Sequence, residues 1–217
     1  KDVTNTSGGK AVPSDWKLTA TPVNPPTGVI AKTVDGASTA SATNTFNVRP
    51  GLTYNLTETS LPGYVTDKLE CAVNSGPFGA TTQVQLNALD TAVCKFTNKD
   101  QPGTLTLEKF VTGGNATKGD WTLTATPQNI QGQGPVSGSG NPNAQDGVKD
   151  RSVFAGTYAL TESSVTGYSQ EGKWECTGGN MNNEGTQVTV PNGGIVYCKV
   201  TNTRDKGSVT VTNTFDP

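Results

Sequence analysis

The sequence predicts an all-β protein built as two copies of one domain, and three observations predict it: a threonine- and glycine-rich composition, an internal repeat, and matched cysteine spacing. Threonine fills 35 of 217 positions and glycine 26, while Leu, Ile, Val and Phe together supply 41. Threonine and valine suit a pleated, half-buried surface. A chain this poor in large apolar side chains would border on disorder, but disorder also needs a high net charge, and this one carries −2.

The repeat fixes the organisation. DWKLTATP at 15–22 returns as DWTLTATP at 120–127, and YNLTETSLPGY at 54–64 returns as YALTESSVTGY at 158–168. LEC at 69–71 answers WEC at 174–176, and VCKFTN at 93–98 answers YCKVTN at 197–202, always at an offset of 104 or 105 residues. So constant an offset means two copies of one fold. The domains are expected at 1–102 and 103–206, joined near 99–103, with an extra C-terminal strand at 207–217. Within each copy, short Thr/Val runs are punctuated by Gly, Pro and Asn. Pro191-Asn192-Gly193-Gly194 between two such runs reads as a hairpin turn. Residues 128–150 read as a long polar surface loop. Its Asn141, Asn143, Asp146 and Asp150 faintly suggest a calcium loop, but the glycine register does not match an EF-hand, and a solvated loop is the better reading. No metal site and no cofactor are expected.

Composition also removes function classes. With no histidine there is no Ser-His-Asp or Cys-His catalysis and no imidazole metal site. The balanced charge argues against nucleic-acid binding. No apolar stretch approaches the roughly 18 residues of a membrane span, and no signal peptide is seen, so the chain reads as a mature extracellular piece.

Each copy holds two cysteines, Cys71 and Cys94 in the first, Cys176 and Cys198 in the second. The even count and matched spacing favour a disulfide within each copy; buried free thiols are the alternative. Closing a loop of that size is worth about 3 kcal/mol in the chain-entropy model.

The two-residue period of a strand then singles out three polar residues. Leu105, Leu107 and Lys109 share one face; so do Tyr158, Leu160 and Glu162, and Cys198, Val200 and Asn202. The first copy repeats the pattern with Tyr54, Leu56 and Glu58 and with Cys94, Phe96 and Asn98, and its Lys1 corresponds to Lys109 through KDVT against KFVT. A lone inward charge at a strand end usually escapes to solvent, but a recurring Lys, Glu and Asn set demands an account. Burial favours the neutral amine, which is a nucleophile, and a protonated glutamate beside an amide can polarise its carbonyl. The expected product is a Lys–Asn isopeptide bond, formed once per copy with loss of ammonia, Glu58 and Glu162 acting as the catalytic groups.

An early-strand Lys, a Y-x-L-x-E segment followed by G-Y, and a last-strand T-N resemble the CnaB-type, SpaA-like prealbumin-fold repeats of Gram-positive surface adhesins and pilins. The resemblance covers nearly the whole chain. It implies transthyretin-like β-sandwiches, and the cross-linking roles of Lys1, Glu58 and Asn98 and of Lys109, Glu162 and Asn202. It further implies an extracellular, cell-surface or secreted location. Neither an LPxTG-type sorting signal nor a YPKN motif stands in the sequence.

Gly207-Ser208-Val209-Thr210-Val211-Thr212-Asn213 resembles Gly103–Lys109, with Asn213 where the lysine would stand. It either opens a further repeat or completes the first domain of a neighbour by head-to-tail strand addition. Two functions compete: a structural stalk or fibre module, and an adhesin module whose loops bind a host or surface ligand such as a carbohydrate. Trp16 and Trp121 hold matching repeat positions beside apolar strand residues, which points to core packing in place of sugar stacking.

Overall fold

The computed structural model describes residues 1–213. The chain divides into two compact units, one of Lys1–Gly103 with Pro191–Gly194, the other of Thr104–Val190 continuing from Ile195. The first contains β1 (Asp2–Thr4), β2 (Lys17–Pro22), β3 (Lys32–Asp35), β4 (Thr53–Glu58), β5 (Tyr64–Val73), β6 (Gly79–Ala80), β7 (Gln83–Gln85) and β8 (Ala92–Asp100). The second contains β9 (Gly103–Thr112), β10 (Thr122–Pro127), β11 (Val136–Ser139), β12 (Arg151–Val153), β13 (Gly156–Glu162), β14 (Tyr168–Thr177), β15 (Asn180–Met181), β16 (Gln187–Val190) and β17 (Ile195–Arg204).

Each unit is a sandwich of two sheets. In the first, β1-β8-β5-β6 faces β3-β2-β4-β7; in the second, β12-β9-β17-β14 faces β11-β10-β13-β16-β15. The first and last long strands of the second unit, β9 and β17, run parallel over nine paired positions, from Thr104 opposite Ile195 to Thr112 opposite Thr203. Its core draws Leu105, Leu107, Cys198 and Val200 from one sheet and Leu123, Leu160, Val188 and Val190 from the other. That alternation is the period-two pattern of the sequence.

The repeated motifs have local physical reasons. In DW, the aspartate carboxylate closes a single 3₁₀ turn by accepting a backbone N–H three residues back: Asp15 from Val12 at 2.8 Å, Asp120 from Thr117 at 2.7 Å. The tryptophan that follows is turned fully into the core in both copies. In G-Y, Gly63 and Gly167 take φ of +77°, the left-handed position of a tight turn that a side chain would strain. The turn closes with the tyrosine N–H on Leu61 or Val165. Tyr64 and Tyr168 then meet Trp16 and Trp121 edge to face, with ring centroids 5.3 and 5.4 Å apart.

Both disulfides are present, Cys71–Cys94 and Cys176–Cys198, each joining residues directly opposite on antiparallel strands. They tie β5 to β8 and β14 to β17.

Three expectations need correction. Pro191–Gly194 is a turn but not a hairpin: β16 pairs with β13 and β15, β17 with β9 and β14, so the chain changes sheets there. A four-residue turn is equally compatible with both outcomes, and the partner strands decide. Residues 128–150 are not simply a surface loop. Val136–Ser139 pairs with β10, and Val148 is fully buried beneath this segment. Asn143 there takes Lys149 Nζ at 2.9 Å, and Asp150 takes the Thr106 hydroxyl at 3.2 Å. Third, 207–213 forms no strand; Val209 and Val211 are each 88% exposed. The rest of the expected C-terminal strand, including Phe215, lies outside the described residues.

Candidate functional site

In the second copy, β9, β13 and β17 bring Lys109, Glu162 and Asn202 to one point inside the sandwich. Lys109 lies opposite Val200 in the parallel register and Val111 opposite Asn202, so lysine and asparagine are offset by two residues on adjacent strands. Side chains so placed share a face and reach one another. Glu162 comes from the facing sheet, opposite Leu123. Lys109 Nζ donates to Glu162 Oε2 and to Asn202 Oδ1, the latter at 2.5 Å. Lys109 is 1% exposed and Asn202 3%.

The first copy builds the same arrangement with one difference. Val3 lies opposite Asn98, which sets Lys1 at the same two-residue offset. Lys1 Nζ donates to Glu58 Oε2 at 2.6 Å, but Asn98 Oδ1, equally buried, has no hydrogen-bond partner among the described residues. The far oxygen of Glu58 accepts the Thr66 hydroxyl at 2.6 Å. Of the six residues that strand patterning singles out, Lys1 and Glu58 and, separately, Lys109, Glu162 and Asn202 are joined by hydrogen bonds.

The electrostatics follow from burial. Desolvation pushes the amines of Lys1 and Lys109 below the ordinary lysine value of 10.5, partly opposed by the hydrogen bond and charge of Glu58 or Glu162. Nζ sits 4.3 Å from the Trp16 ring centre in one copy and 5.0 Å from that of Trp121 in the other, cation–π contacts that themselves favour the charged form. A lysine in this setting reaches the neutral, nucleophilic form more readily than one in water.

Three residues escaped sequence reasoning, two glycines and a threonine. Gly140 accepts the Lys109 N–H at 2.8 Å and donates to Trp121 O at 2.8 Å. A Cβ there would lie 2.6 Å from Lys109 Cβ and 2.4 Å from Lys118 O, so only glycine lets the two backbones meet. Gly36 repeats the role, donating to Trp16 O at 2.9 Å, with a built Cβ 2.2 Å from Pro13 O and 3.2 Å from Lys1 Cβ. The signal available was the repeat itself, since these glycines stand 104 residues apart in otherwise dissimilar segments. Thr66 is the second kind of omission, because its copy-two counterpart, Gln170, is a different residue.

The model of the SpaA-type prealbumin-like fold domain matches the chain twice, over residues 1–96 and 100–200. No curated protein sequence matches it. Among solved structures, a major pilin from Streptococcus pyogenes is similar at 16% identity and a TM-score of 0.38, covering 94% of this chain and 96% of the pilin. The T-13 major pilin of that species aligns at 17% identity and a TM-score of 0.38, covering 88% and 89%. Likeness at that level carries no argument about activity.

Proposed function

Because the chain belongs to the SpaA-type prealbumin-like fold family, carried twice in tandem, we propose that it is a structural stalk or fibre module of a bacterial cell-surface protein. In this reading each copy is locked by a Lys–Asn isopeptide bond beside its disulfide. The observation that carries it is the contact of one buried amine, Lys109, with both Glu162 and Asn202. The neutral amine attacks Asn202 Cγ, and the Cγ–Nδ2 bond breaks. Glu162 takes the proton the amine sheds and delivers one to Nδ2, so ammonia leaves and no other reactant is consumed. Lys1, Glu58 and Asn98 are the corresponding set. The strands hold the partners at contact, which replaces a bimolecular encounter. The reaction happens once and does not turn over. Its benefit is mechanical: the bond joins first and last strands of a domain, so pulling on the ends loads a covalent link.

Intact mass of the reduced protein tests this. The expected mass falls short of the sequence mass by one ammonia per bond, and Glu162→Ala restores the copy-two ammonia and lowers its thermal stability. A wild-type mass equal to the sequence mass rejects the cross-link.

Head-to-tail association through 207–217 belongs to the same proposal. Gly207–Asn213 stands at the repeat offset from Gly103–Lys109, and its valines face solvent. β8 carries a parallel partner only along Thr97–Lys99. A segment with alternating exposed valines, if it added as a strand to that edge in a second molecule, would build open filaments. Light scattering should show the full chain growing with concentration and a chain lacking 207–217 remaining a monomer. A strict monomer in both rejects it.

A further inference from the structure

The two candidate sites differ at one side chain that touches the glutamate. In copy one, Thr66 lies opposite Asn98 in the β5–β8 register, and its hydroxyl donates to Glu58 Oε1 at 2.6 Å. In copy two, Gln170 lies opposite Asn202, but its amide turns away and donates to Gly172 O at 3.0 Å. Both oxygens of Glu58 are therefore acceptors, one from Lys1 and one from Thr66. Glu58 makes no hydrogen bond to Asn98, whose Oδ1 is buried without a donor among the described residues. Glu162 has no such second donor, and Lys109 already reaches Asn202 Oδ1.

We propose that Thr66 is a positioning residue that delays the cross-link of copy one relative to copy two, by engaging Glu58 Oε1 and leaving the Asn98 carbonyl unpolarised. The inference rests on the cross-linking reading above. Atoms balance as in copy two: the Lys1 Nζ–Asn98 Cγ bond forms, the Cγ–Nδ2 bond breaks, and ammonia leaves with a proton passed through Glu58. That transfer requires a Glu58 oxygen to exchange the Thr66 hydroxyl for the asparagine, which is the delaying step. The two copies then close in a set order, the second before the first.

The test uses the full chain made in a cell-free system and followed by intact mass and peptide mapping, so that each copy's cross-link is timed separately within one molecule. Thr66→Val keeps the β-branched shape and removes the donor. Wild type should close copy two first; Thr66→Val should speed copy one roughly tenfold, the effect of one hydrogen bond to a charged group, with copy two unchanged. Thr66→Ser, which restores a donor, should restore the lag, a rescue that a purely structural role would not produce. Copy one closing no later than copy two in wild type, or a lag unchanged or lengthened by Thr66→Val, overturns the role of Thr66 while leaving the cross-link intact. No ammonia lost from either copy overturns both.

Discussion

Copy one and copy two share motifs, disulfide placement and the order of their central strands, yet their edge strands and interiors differ. Among the described residues, copy two buries sixteen hydrophobic side chains and copy one seven. β9 runs beside β17 for nine positions and inserts Leu105 and Leu107, both fully buried, whereas β1 pairs with β8 for three. Matched residues register the effect: Cys198, Val188 and Leu160 are buried, while Cys94, Val84 and Leu56 are half-buried. The comparison teaches that the buried Lys–Glu pair does not depend on a full core. Lys1 is 5% exposed even in the thinner copy, because Trp16 and the glycine-mediated approach of Gly36 enclose it locally.

Truncating the same leucine in each copy is the harshest way to break this comparison. Leu160→Ala should destabilise copy two by about 3 kcal/mol, within the usual range for a buried leucine, and Leu56→Ala should cost copy one about half as much. Thermal unfolding followed by peptide-resolved hydrogen exchange separates the copies. Equal losses would show that half-burial in copy one conceals an equally tight interior.

A smaller effect sharpens the comparison at the site. In Asn202→Ala no cross-link can form and Lys109 stays an amine. Its folded-state pKa lies below 10.5 because of desolvation, so between that lowered value and 10.5 the unfolded chain binds the proton that the folded chain has shed. Unfolding then takes up a proton, and the stability of copy two should rise with pH across that window. In a cross-linked wild type the nitrogen is an amide and contributes no such slope, so the difference between the two proteins isolates Lys109. Asn98→Ala should show the same sign for Lys1. Denaturant titrations at a series of alkaline pH values provide the measurement, and parallel curves for variant and wild type would contradict an amine-to-amide change.

Much of this protein was determined by its sequence alone, because the relevant rules are local or repetitive. Strand periodicity places Lys109, Glu162 and Asn202 on inward faces whatever strand lies alongside. The constant repeat offset carries that reading to copy one, and matched cysteine spacing predicts both disulfides. Tertiary structure decided what depends on distant partners. The turn at 191–194 joins two different sheets because β13 and β9 claim the strands on either side of it. Val136–Ser139 becomes a strand because β10 offers an edge to a polar, glycine-rich segment with little strand signal of its own. Gly36 and Gly140 matter only because a lysine backbone passes within contact distance. Thr66 reaches the Glu58 carboxylate only because the two facing sheets bring β5 over β4. Such meetings depend on backbones whose courses the whole fold sets, and strand periodicity alone does not register them.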